Sequence, residues 1–153
     1  MQTVRHMRAG AHSQGPPARP LPTFTRYAPR LRSAVGVCSI LVVDDESILM
    51  AVAEFLELEG YQVEAVTNGA DALTSVDRHR PSVVVLDMRM PVLDGWGFAQ
   101  ALHDRGIALP LVVMTASHHT RQWAEEIGAA DYIAKPFDLT DLLAAVNRIC
   151  ASQ

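Results

Sequence analysis

Residues 83–87 read Val83-Val84-Val85-Leu86-Asp87: four aliphatic residues with no polar one among them, closed by a carboxylate. A strand with one wet face alternates apolar and polar residues, so an unbroken β-branched run reads as a strand buried on both faces of a parallel sheet. Three further segments repeat the pattern with other endings. Ile40-Leu41-Val42-Val43 runs into Asp44-Asp45, Leu111-Val112-Val113-Met114 into Thr115, and Tyr132-Ile133-Ala134 into Lys135. Parallel strands bring their C-terminal ends to one edge, where open α/β folds put their sites. The endings then form one constellation of three carboxylates, a hydroxyl and an ammonium. Such a set can hold a divalent cation, offer a carboxylate nucleophile and neutralise a phosphoryl group.

Working outward, strand-like runs begin near residues 39, 62, 83, 110 and 132, spacings that accommodate a strand, a loop and a three-turn helix. Ile48, Val52, Phe55 and Leu56 make one helical face ahead of Gly60, and Leu139, Leu142, Leu143, Val146 and Ile149 make another. Residues 69–79, 94–105 and 118–128 supply the remaining helices, with Gly128 placed as a C-cap and Pro81 and Pro110 before strands. The expectation is an α/β fold, a doubly wound five-stranded parallel sheet with five helices on both faces and right-handed crossovers. The sequence is read as one domain over residues 38–153, with nothing left over for a second.

Charge divides the chain. Residues 1–43 hold six arginines and no acid, whereas the other 110 carry 7 basic groups against 17 acidic, a balance of −10. A domain that acidic repels nucleic acid, so the globular part is not expected to bind it. No run of about 18 apolar residues is available to span a membrane. Residues 1–37 lack the apolar segment of a signal peptide and are Arg-rich and broken by five prolines, which reads as a disordered leader. A misassigned start, with translation beginning near Val35 or Val37, gives the same picture. Two cysteines, Cys38 and Cys150, make neither a disulfide framework nor a metal spacing, so a reducing cytoplasm is the expected compartment.

Each site residue also has a plain structural role open to it. Asp44 and Asp45 repel one another unless a cation compensates them, and Mg²⁺ suits one or two carboxylates; equally, with Glu46, they could cap the first helix. Asp87 ends the most apolar strand, where an unpaired carboxylate is costly, and as a nucleophile it would form an acyl phosphate. Thr115 and Ser117 could be helix N-caps, or Thr115 could donate to a phosphoryl oxygen. Lys135 is the only lysine in the chain, against twelve arginines, so this position calls for a compact ammonium rather than a planar fork, for catalysis or for a salt bridge. Pro136 after it fixes a turn, with cis the minority form. His118 and His119 point about 100° apart on a helix and form no ligand pair. They and the other histidines read as surface residues, and Trp96 and Trp123 as packing or partner-facing.

Taken together, Asp44-Asp45, Asp87-Met88-Arg89-Met90-Pro91 with Asp94-Gly95, Thr115-Ala116 and Lys135-Pro136-Phe137 resemble the receiver domain of two-component response regulators. The likeness covers residues 38–151 with every signature in order. It implies the flavodoxin-like strand order 2-1-3-4-5. It implies that Asp87 accepts a phosphoryl group from a phosphohistidine on a sensor histidine kinase or a histidine phosphotransfer protein. It implies Mg²⁺ held by Asp44, Asp45, Asp87 and the backbone carbonyl of Arg89, with Lys135 pairing the carboxylates and then the phosphate. Thr115 and Tyr132 would form the switch pair, Tyr132 turning inward behind the threonine, or serving otherwise as a half-buried core aromatic. Arg89 and Ser117 would face the attacking water. The protein would catalyse only its own phosphorylation and dephosphorylation. Its signal would pass to an unknown downstream protein, through a phosphorylation-dependent dimer, or to a second receiver.

Two other classes fit less well. A haloacid-dehalogenase-like phosphohydrolase would use Asp87 as nucleophile with a second aspartate two residues on, where this chain has Arg89. A flavin binder of the same topology needs a phosphate-cradling loop after the first strand, and Asp44-Asp45-Glu46 would repel that phosphate.

Overall fold

The computed structural model describes residues 37–45 and 47–153. The expected leader therefore lies almost wholly outside the described residues, as does Glu46. Strands β1 (Ser39–Val43), β2 (Gln62–Val66), β3 (Val83–Asp87), β4 (Leu111–Thr115) and β5 (Asp131–Ala134) alternate with helices α1 (Ile48–Leu58), α2 (Gly69–Arg78), α3 (Gly95–Asp104), α4 (Thr120–Glu126) and α5 (Leu139–Ala151). All strand pairings are parallel and the order is β2-β1-β3-β4-β5, as expected.

The unbroken apolar runs are explained by two cores. Successive strand residues face opposite sides of the sheet, so Ile40, Val42, Val83, Val85, Val112 and Met114 pack with α1 and α5. Leu41, Val43, Val84, Leu86, Leu111 and Val113 pack with α2, α3 and α4. Every residue of β3 and β4 is buried. Helix α1 buries Leu49, Val52, Ala53 and Leu56; α5 buries Leu142, Ala145 and Val146. Asn68 caps α2 by accepting the Asp71 N–H at 2.9 Å, and Asp94 caps α3 by accepting the Gly97 N–H at 2.8 Å.

Two expectations need correction. Helix α4 begins at Thr120, not at residue 118. Ser117 Oγ accepts the His119 N–H at 3.1 Å and the Thr120 hydroxyl donates to the Ser117 carbonyl at 2.5 Å, so the chain completes a turn before the helix starts. Cys38 and Cys150 form a disulfide, with Cα atoms 6.0 Å apart. One precedes β1 and the other lies in the last turn of α5. Their separation of 112 residues hides the pair from any local reading; only the return of α5 across the sheet brings them together.

Candidate functional site

Strands β1 and β3 are neighbours in register, Val43 opposite Leu86, so the residues that follow them, Asp44 and Asp87, emerge side by side. Asp44 is 0% exposed and Asp87 2%, while Asp45 stands in solvent. One carboxylate oxygen from each of the three lies within 4.8 Å of the others. Ser47 occupies the N-cap of α1 and makes no side-chain capping bond, and Asp44 points elsewhere.

It points at Lys135. That residue leaves the edge strand β5, its backbone N–H donating to the Thr115 carbonyl at 3.0 Å, and the peptide bond to Pro136 is cis. The Lys135 stem carries Nζ to 2.6 Å from Asp44 Oδ2 and 3.5 Å from Asp87 Oδ2. With the three carboxylates ionised, one ammonium leaves the cluster with two negative charges in excess, and a divalent cation matches that excess. The all-oxygen donor set, part buried and part open to water, fits Mg²⁺, which keeps several waters when bound through one or two carboxylates.

Thr115, the last residue of β4, is buried beside this cluster at 2% exposure. A cleft of about 360 Å³ opens outward from Asp87, walled by Arg89, Thr115, Ala116, Ser117, His118 and His119. The outer wall holds a stack that sequence reading did not foresee. The Arg89 guanidinium carbon lies 5.5 Å from the centre of the Trp123 ring, His119 stacks on that ring at 6.1 Å, and Trp96 meets its edge at 4.6 Å. Cation–π attraction keeps Arg89 at the rim. Its partner ring is on another element, so no spacing in the sequence announces it.

The loop from β3 to α3 is tightly determined. Arg89 N–H donates to Asp87 Oδ1 at 3.3 Å, Gly95 N–H to the Met88 carbonyl at 3.1 Å and Gly69 N–H to the Leu93 carbonyl at 2.9 Å. A Cβ on Gly95 would come within 2.8 Å of Met88 Cα and 2.9 Å of the Asp87 carbonyl oxygen, which explains the glycine of the Asp94-Gly95 pair. At the tip, Val92 holds φ 67, a left-handed backbone that a β-branched residue adopts only under constraint. Tyr132 lies on the outer surface at 44% exposure, so in this structure it is neither turned inward nor a core aromatic.

Fold and site together define a doubly wound α/β domain with an acidic, lysine-paired cleft at the carboxyl edge of its sheet. The chain belongs to the response regulator receiver domain family, whose model matches residues 40–147. Among curated proteins it is 41% identical over 119 residues to the transcriptional regulatory protein PrrA of Mycobacterium tuberculosis, covering 74% of this chain and 51% of that one. It is 40% identical over 113 residues to the response regulator MprA of Mycobacterium leprae, covering 72% and 50%. The chain thus spans about half the length of these relatives. Among solved structures, the receiver domain of the Francisella response regulator 1452 superposes with a TM-score of 0.70 at 27% identity, over 74% of this chain and 97% of that one. Vibrio cholerae CheY4 does so at 0.68 and 29%, over 74% and 99%. Membership makes this a signalling domain of two-component systems, and the hydrolase alternative is not favoured. No described helix is long and apolar enough to cross a membrane.

Proposed function

We propose that the domain is a phosphoacceptor switch in which Asp87 takes a phosphoryl group from a phosphohistidine of a sensor histidine kinase or histidine phosphotransfer protein. The observation that carries this reading is the position of the Lys135 ammonium, held against both Asp44 and Asp87, the latter lining an open cleft. A carboxylate oxygen of Asp87 attacks phosphorus, the P–N bond breaks, and the imidazole leaves with the electron pair. Lys135 exchanges part of its contact with Asp87 for the new phosphoryl oxygens, and the Thr115 hydroxyl donates to another. Asp44, Asp45, Asp87 and the backbone carbonyl of Arg89 would hold Mg²⁺. When bound, the ion supplies charge neutralisation to the transferring group.

The new charge draws Thr115 inward, and Tyr132 follows from its exposed position, changing the face built by β4, β5 and their helices. The domain turns over nothing but its own acyl phosphate. Its output is a contact with a downstream protein or a second copy. A balance of −10 over residues 44–153 supports protein rather than nucleic acid as the partner of the globular part. On the same reading residues 1–37 are a leader outside the 38–153 domain, and the domain acts in the cytoplasm.

Intact-mass spectrometry after incubation with acetyl phosphate tests the proposal. A gain of one phosphoryl group that needs Mg²⁺, is lost in hydroxylamine and is absent in Asp87→Asn is expected. Labelling that persists in Asp87→Asn would move the acceptor to another residue.

A further inference from the structure

We propose that Cys38 and Cys150 are a reversible thiol–disulfide modification site, served by low-molecular-weight disulfides and dithiols, that fastens the end of α5 to the start of β1. These are the two cysteines of the whole sequence, so each has one intramolecular partner. Both are half-buried and pack against the core on the α1 and α5 side of the sheet.

Hydrogen bonds that do not involve sulfur also tie the segments on either side of the bond. Ser39, next to Cys38, and Ser82 exchange hydrogen bonds, Ser39 N–H to Ser82 Oγ at 3.1 Å and Ser82 N–H to the Ser39 carbonyl at 2.8 Å. Gln153, just beyond α5, donates from Nε2 to the Ser82 carbonyl at 2.7 Å. Asn147, one turn before Cys150, accepts from the Tyr61 hydroxyl. The segments carrying both cysteines are thus moored by hydrogen bonds in which the sulfurs take no part. In the reduced domain the thiols face each other at high effective concentration, so closing the ring costs little further order.

The site lies at the amino edge of the sheet, opposite the carboxyl edge that carries Asp87 and Lys135. It therefore acts on the docking of α5 and not on the acidic cleft. In the exchange, one cysteine thiolate attacks an oxidised glutathione and releases one glutathione thiolate. The second cysteine thiolate then displaces the other, leaving the protein disulfide and two glutathiones. A dithiol reverses both steps. The ring so closed contains nearly the whole domain, and oxidation removes conformational freedom from the unfolded chain in proportion.

The test uses the full chain at neutral pH, reduced and then equilibrated with excess oxidised glutathione. Expected are a mass lower by two hydrogens, loss of alkylation at both cysteines, and full recovery with dithiothreitol. A melting temperature higher by on the order of 10 °C in the oxidised form is expected, with slower amide exchange over residues 139–151. Cys38→Ser and Cys150→Ser should each stop at a mixed glutathione disulfide and melt like the reduced protein in either condition. Persistent alkylation of both thiols after the oxidant would overturn the proposal. So would equal α5 exchange in the reduced and oxidised wild type, since the bond would then fasten nothing.

Discussion

Lys135 Nζ sits 2.6 Å from Asp44 and 3.5 Å from Asp87, with the three side chains only 8%, 0% and 3% exposed. One cation thus compensates two carboxylates that would otherwise be buried in mutual repulsion. Lys135→Ala should lower stability by about 3–5 kcal/mol, the usual cost of leaving a buried charge without its partner. Lys135→Arg should lose much less stability yet impair the response to phosphorylation, because the planar guanidinium is broader than the ammonium. Urea midpoints without metal check the first statement. A loss under about 1 kcal/mol in the alanine variant would mean that Asp44 and Asp87 do not depend on this ammonium.

Divalent cation should stabilise the domain. At a Mg²⁺ concentration about 100 times the dissociation constant the gain is about 2.7 kcal/mol, visible as a rise in melting temperature that EDTA reverses. Asp45→Asn should weaken this response with little effect on the metal-free fold, since Asp45 is exposed. A wild-type melting curve indifferent to Mg²⁺ would count against Asp44, Asp45 and Asp87 as ligands.

Val92 combines φ 67 with 85% exposure, so its side chain contributes strain and almost no packing. Val92→Asn, with a residue that tolerates the left-handed region, should stabilise the domain by about 1 kcal/mol. Thermal melting of the two proteins decides it, and a destabilised variant would show that the loop draws its shape from valine.

Gly95→Ala should cost about 1–3 kcal/mol. The added carbon meets the Met88 Cα and the Asp87 carbonyl, which are backbone atoms and cannot rotate away. Because those atoms carry the loop that follows Asp87, the proposed acceptor, phosphorylation by acetyl phosphate should slow as well. A variant with unchanged stability and unchanged labelling would show that the first turn of α3 can retreat freely.

Much of this was readable beforehand, and for identifiable reasons. The uninterrupted runs in β1, β3 and β4 stated that both faces of the sheet are covered, and the structure supplies one core on each side. The side chains closing those runs marked the site because parallel strands end on one edge. The start of α4 is not legible in the sequence because the hydrogen bonds of Ser117 and Thr120 compete with helix formation locally.

By itself, then, the sequence determined the strand and helix alternation, the carboxyl-edge cluster and the family, because period and chain order are local properties of residues. Only the tertiary structure decided that Arg89 rests on Trp123, that Tyr132 faces outward and that Cys38 meets Cys150. Each depends on which elements come to lie side by side after the crossovers, and residues brought together by packing leave no mark in the spacing of the chain.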